Sequence, residues 1–230
     1  MTEPLKYFNT IYPFDKNLIS KIVIGEKYVG IMLKNGQIGV CSTLKNRVVF
    51  DITNTHQIDL NDLNHRIIYN AWLNALLNYH NNYKSDKDIF EAIDFSKNGH
   101  IVMIGYFRPL VKKFQEVNLP LKIFDLYAND AFVQPLINQE QELRSADSVI
   151  LTSTSIFNNT FLDIICKTKR NCKIFLLGPS SILHSDMFLY RNITNIFGAV
   201  FKQDDNHILE IISRGDGTRK FLPIGRKVYI

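Results

Sequence analysis

Apolar residues follow two rhythms along this chain, and the change between them divides it. Early on, Tyr28-Val29-Gly30-Ile31-Met32-Leu33 and Gln37-Ile38-Gly39-Val40-Cys41 form two strand-like runs around Lys34-Asn35-Gly36. Asn-Gly accepts positive φ, so the pattern predicts a hairpin closed by a tight type I′ turn. A third strand is expected over residues 47–50 and a short helix over 15–22. Leu63, Ile67, Ala71 and Asn74, flanked by Ile68, Trp72, Ala75 and Leu76, recur at helical spacing. They predict one long helix to about Tyr79, capped by Asp59 or Asn61. The apolar stripe is wide enough to bury a face, which makes this first unit a small α+β arrangement.

The polar run Asn81-Asn82-Tyr83-Lys84-Ser85-Asp86-Lys87 marks a linker. It divides the chain into an N-terminal domain over 1–85 and a C-terminal domain over 86–230. A helix over 88–95 leads into the second unit. From His100 onward the rhythm becomes strand, helix, strand. Strands are expected over 101–104, 121–124, 149–151, 173–177 and 193–201. Helices are expected over 110–117, 161–169, 186–190 and from Asp204 or Asp205 to Ser213. Such alternation gives a mostly parallel sheet with right-handed crossovers, Rossmann-like in the loose sense. Asn158 or Asn159 is the expected cap of the helix at 161, with Asp163 at the positive end of its dipole.

Composition narrows the class. The 230 residues are 46% apolar and 21% charged, which suits a globular chain with a sizeable core. No apolar run approaches a membrane span, and the first residues lack the layout of a signal peptide, so a cytoplasmic protein is expected. The net charge of +5 comes from scattered Lys and Arg, locally dense only at Arg219-Lys220 and Arg226-Lys227. Without a basic block interleaved with aromatics, nucleic acid is disfavoured as a partner and a small anionic molecule fits better. The three cysteines, Cys41, Cys166 and Cys172, form no C-x-x-C, and Cys166 and Cys172 are expected as small core residues. The six histidines, His56, His65, His80, His100, His184 and His207, make none of the zinc spacings and are expected mostly on the surface and in loops.

Candidate chemistry gathers at the strand ends, where open α/β sheets bind ligands. The densest group is Thr152, Ser153 and Thr154 with Asn158, Asn159 and Thr160, after the apolar strand Val149-Ile150-Leu151. These hydroxyls and amides both donate and accept, so they can orient an anionic or neutral ligand. The first strand-to-helix turn is Gly105-Tyr106-Phe107-Arg108-Pro109. A dinucleotide site would carry G-x-G-x-x-G there, and only Gly105 is present. Arg108 offers a fork to a carboxylate or phosphate. Asp125 closes the next strand at the spacing of a ribose-binding acid, which keeps S-adenosylmethionine and nicotinamide cofactors in view. Gly178, Pro179 and Ser180 form a third polar turn on the same sheet edge. No acid–base pair, nucleophile elbow or metal cluster accompanies them.

Val102 to Leu110, Ala146 to Thr160 and Leu176-Leu177-Gly178-Pro179-Ser180 resemble the C-terminal domain of the family described as "putative heavy-metal chelation". The hairpin and the helix around Trp72 are similar to that family's N-terminal domain. The resemblance implies an enolase-N-terminal-like α+β domain followed by a Rossmann-like domain, with a cleft between them that serves a metal chelate or a cofactor precursor. The chain lacks a dense Cys/His set, so a metal is expected to arrive inside a small chelate or to bind through oxygen ligands. Three functions stay open: a binding protein for a small anionic or metal-chelating ligand, a transferase or lyase of cofactor or metallophore biosynthesis, and a ligand-free module that forms homodimers.

Overall fold

The first surprise of the fold is at residue 19. The structure, a computed structural model, describes every residue except His56, Lys84 and Ser85. The expected helix over 15–22 is only a single 3-10 turn, Lys16–Leu18, with the Asp15 carboxylate accepting the Asn17 N–H. Strand β1 (Ile19–Ile24) follows and pairs antiparallel with β2 (Tyr28–Leu33). Ile19, Ile22, Val23 and Ile24 are β-branched, and β2 offers them a free edge, which outweighs the local helix signal. The expected strand at 47–50 is irregular, and β1 takes its place beside β2 and β3 (Ile38–Ser42) in the order β1-β2-β3.

The hairpin turn also differs from expectation. Of its residues only Gly36 has positive φ, +83°, and Gly36 N–H donates to Leu33 O at 2.9 Å. That is a type I turn followed by a left-handed bulge residue, the common three-residue hairpin loop, and not type I′.

Helix α1 (Pro4–Ile11) precedes the sheet, and helix α2 (Leu63–Leu77) packs on one of its faces. Its cap is Asp62, whose carboxylate accepts the N–H groups of Asn64 and His65; Asp59 instead holds Asn61. The expected helix over 88–95 shortens to α3 (Ile89–Ala92), closed by an Asp88/Glu91 capping box, and a separate 3-10 turn.

The second half is built on a six-stranded sheet. Its elements in order are β4 (Ile101–Ile104), α4 (Arg108–Glu116), β5 (Lys122–Phe124), α5 (Gln139–Ser145), β6 (Ser148–Thr152), α6 (Thr154–Phe157), α7 (Phe161–Lys167), β7 (Lys173–Leu177), β8 (Ile193–Val200), α8 (Asn206–Ser213), α9 (Thr218–Phe221) and β9 (Arg226–Tyr229). The strand order is β5-β4-β6-β7-β8-β9, parallel except for β9. The first residue of α7 follows Thr160, and no side chain caps it; Asn158 Oδ1 instead accepts the Thr160 N–H at 3.1 Å. On α7 the buried positions are Phe161, Ile164 and Ile165, so Cys166 turns outward and is exposed, contrary to expectation. The segment 186–190 is mostly a 3-10 turn, Ser185–Leu189.

Alternation along the parallel strands sends side chains to two layers. Val102, Ile104, Val149, Leu151, Ile174 and Leu176 join the main core, which also contains α2 and the inner face of the three-stranded sheet. Met103, Ile123, Ile150 and Phe175 face the other way, onto α3 and α4. Helix α8 leaves the second half and packs on the outer face of the first sheet, where Met32, Ile38 and Val40 meet Ile208, Leu209 and Ile212. The proposed division at 85/86 therefore separates two sheets while the packing crosses it. Lys84, Ser85 and His56, named in the sequence reading, lie outside the described residues.

Two polar devices fasten the halves. Arg66, 4% exposed, spends every N–H of its guanidinium: on both oxygens of Glu3 at 2.9 Å each, on Leu60 O at 3.0 Å, and on Ile156 O and Phe157 O at 2.8 and 2.6 Å. Asn70, Asn74 and Asn78 recur every fourth residue on α2 and are buried. Their amides donate to Ser180 O, Val40 O and Ser181 O at 2.9–3.0 Å, and Asn78 Oδ1 accepts Leu183 N–H at 2.8 Å. The guanidinium and the three amide N–H groups are tolerable at this depth because each has an acceptor aimed at it, whereas Asn70 Oδ1 and Asn74 Oδ1 are buried without a donor among the described residues.

Removing one member of a buried ion pair strands the other, so Arg66→Ala is expected to lower the unfolding free energy by about 3–5 kcal/mol in urea denaturation. Asn78→Ala leaves Ser181 O and Leu183 N–H without partners and should lose about 1–3 kcal/mol in the same assay. A loss within error of zero at either position would refute the fastening role.

Candidate functional site

Between β4 and β6 the sheet changes direction of growth. The chain moves from β4 outward to β5, then returns to the other side for β6, so the loops leaving β4 and β6 part and open a crevice at the carboxyl edge. Gly105 ends β4 with φ +97°, and a Cβ there would lie 2.8 Å from Thr152 Cβ. Only glycine fits both the backbone angle and the gap.

A cavity of about 220 Å³ occupies the crevice. Ile104, Phe124 and Ile164 form its apolar floor, and Gly105, Asp125, Thr152, Thr154, Asn158 and Thr160 give it polar walls. Leu44, Asp125 and Tyr127 also border a neighbouring cavity of about 330 Å³ that reaches Lys27, Lys45 and Tyr106. The combined cleft thus has one wall from the N-terminal sheet. Leu44 and Lys45, in the loop after β3, hold φ of 50° and 63°, a conformation that non-glycine residues seldom adopt.

The walls present donors beside the exposed carboxylate of Asp163. Thr152 and Thr154 hydroxyls lie 3.0 Å apart, so one hydrogen joins them and the other is free to donate outward. Thr160 Oγ1 donates to Asn158 Oδ1 at 2.7 Å, and the Asn158 amide hydrogens have no protein acceptor among the described residues. Lys27 and Lys45 are exposed and form no ion pair among the described residues. The carboxylate of Asp125, by contrast, is occupied: it accepts the N–H groups of Tyr106, Tyr127 and Ala128 at 2.7–2.8 Å. Those bonds shape the loop after β5 around the cleft. Tyr106 adds a brace, its hydroxyl donating to Asp130 at 2.6 Å. That bond raises the phenol's pKa above its ordinary value and lowers the Asp130 carboxyl below its own.

The other residues expected at the site are placed apart from this cleft. Ser153 is buried and shares a hydrogen bond with the Ser181 hydroxyl. Ser180 is buried too, and its hydroxyl accepts the Ser42 N–H at 2.9 Å. Asn159 is exposed with φ 64°, and Arg108 is exposed at the start of α4. Phe107, Gly178 and Pro179 line a separate cavity on the opposite face of the sheet. Leu44, Lys45, Tyr127 and Lys167 border the cleft and were not legible as site residues, because nothing local in the sequence ties them to the strand ends. Among the described residues, no group of three or more His, Cys, Asp or Glu side chains is placed to hold a metal ion. Among them, too, no helix is long and apolar enough to cross a membrane.

The comparisons with known proteins agree with this architecture. The sequence profile of the family described as "Putative heavy-metal chelation", DUF364, matches residues 88–230. A DUF364 protein of unknown function from Pyrococcus horikoshii has a similar fold, with a TM-score of 0.78 and 19% identity over 92% of each chain. Another, from Desulfitobacterium hafniense DCB-2 and likewise of unknown function, gives 0.77 and 20% identity, covering 98% of this chain and 96% of that one. No curated protein matches the sequence. With the profile spanning well over half its length, the chain belongs to the DUF364 family, described as putative heavy-metal chelation.

Proposed function

We propose that this protein binds a small anionic molecule, or the anionic chelate of a metal, in the cleft between the N-terminal sheet and the carboxyl edge of the parallel sheet. The observation that carries this reading is the donor excess of the cleft: free hydrogens on the Thr152–Thr154 pair and on the Asn158 amide, with Lys27 and Lys45 at its outer end. Such a wall complements oxygen anions, and of the two carboxylates that line it, Asp125 already accepts three backbone N–H groups while Asp163 is exposed. The family's description supports a metal in the ligand, whereas the described side chains supply no thiolate or imidazole cluster. The metal then enters coordinated by the small molecule, and the protein recognises the chelate's outer oxygens.

Native mass spectrometry of gently purified protein, with metal analysis of the same sample, tests this. The wild type is expected to retain an organic anion, with or without metal. Thr152→Val and Lys45→Glu together should release it, each substitution weakening retention roughly tenfold, the worth of one charge-assisted hydrogen bond. Stoichiometric metal without an organic ligand, or a retained mass indifferent to both substitutions, would sink the reading. Gly105→Ala should both empty the cleft and lower the melting temperature, since the added methyl meets Thr152 at a positive φ. Full retention of ligand and stability by that variant would show that the gap at the switch point is not needed.

A further inference from the structure

On the other face of the sheet, away from the proposed cleft, lies a second cavity of about 200 Å³. Its walls are almost wholly apolar: Phe107 after β4, Leu110 on α4, Leu177 at the end of β7, Phe197 on β8 and Val228 on β9. Five elements therefore converge on it, and the sheet supplies its floor. Phe197 is held in its wall by stacking on Tyr229 at 5.1 Å between ring centroids. The rim differs from the walls. Lys87, Asp88, Lys113 and Lys227 lie along it. Lys113 is paired with that carboxylate at 2.5 Å, whereas Lys227 is exposed and has no ion-pair partner among the described residues.

Size and charge together select the occupant. A dry cavity of about 150 Å³ lined by Leu, Ile and Phe is large enough to take up benzene. The space here suits one ring or a short branched chain. A ligand seated among Phe107, Phe197 and Leu177 would desolvate its apolar body there, and a carboxylate on that body would emerge beside Lys227. We propose that this cavity is a second binding site, independent of the first, for a small aryl or short-chain carboxylate. Its two determinants are separable, since the apolar walls hold the body and Lys227 selects the charge.

The test is a titration of the isotope-labelled full chain with millimolar benzoate, followed by amide chemical shifts, with benzyl alcohol as the uncharged counterpart. Benzoate is expected to produce saturable shifts centred on Gly178, Phe197, Gly198 and Val228, with the amides of residues 152–160 unmoved. Lys227→Glu, on an exposed side chain, keeps the fold and should weaken benzoate roughly fivefold while leaving benzyl alcohol within about twofold. Leu177→Trp, which fills the cavity, should abolish both; if that variant does not fold, the Lys227→Glu comparison decides alone. Absence of saturable shifts, shifts centred on the Thr152 cleft or on the exposed Phe132 and Ile137, or equal affinity of wild type and Lys227→Glu for benzoate would each overturn the proposal.

Discussion

The guanidinium of Arg66 is the constraint on which the arrangement of the halves depends. It lies under both of them with every donor used, tying the first residues of the chain, the long helix α2 and the last carbonyls of the short helix α6 to one point. The α6 carbonyls follow directly on Thr152 and Thr154, so the same group that joins the halves also fixes the polar wall of the cleft. A lysine there could not replace it, because a point charge lacks the planar fork that reaches a carboxylate and three carbonyls together.

The asparagines of α2 serve the same end by different chemistry. Amides at every fourth position of a buried helix face would be costly in a purely apolar core. Here they meet the turn after β7, whose carbonyls would otherwise be buried and unpaired. This explains why Ser180, attractive as a ligand contact in the sequence, is engaged inside the protein together with its neighbour Ser181. The turn faces α2: the Ser180 hydroxyl accepts the Ser42 N–H, the Ser181 hydroxyl is held by Ser153 and nearby carbonyls, and the carbonyls of both serines accept the Asn70 and Asn78 amides.

Much of the fold was legible because strand and helix periods are strong over long runs. The hairpin, α2 and the alternation from residue 101 onward all stand where apolar spacing put them, and the mostly parallel sheet follows from them. What the sequence concealed was decided by distant partners. Residues 15–22 were weakly patterned and open to a short helix, but β2 had an edge to fill. Asn74 fitted the apolar stripe of α2 by position although its amide reaches across to β3. At the site, Gly105 and the Thr152 cluster were visible as strand-end chemistry, and the structure brings them together. Lys45 and Leu44 were not, since their approach depends on how the N-terminal sheet is carried by α2. Strand ends look alike in sequence whichever face their loops turn to, so Phe107, Gly178 and Pro179 were grouped with residues from which the sheet itself separates them.

The return of α8 to the N-terminal sheet has a consequence for how the chain is made. Met32, Ile38 and Val40 form a bare apolar face until residues 206–213 arrive to cover it. During vectorial synthesis about 170 further residues must emerge after the hairpin before that first sheet is covered, so the early hairpin waits as an exposed, half-finished layer. Such a waiting period favours association with other surfaces, including chaperones, and makes covering of that sheet depend on the arrival of residues 206–213.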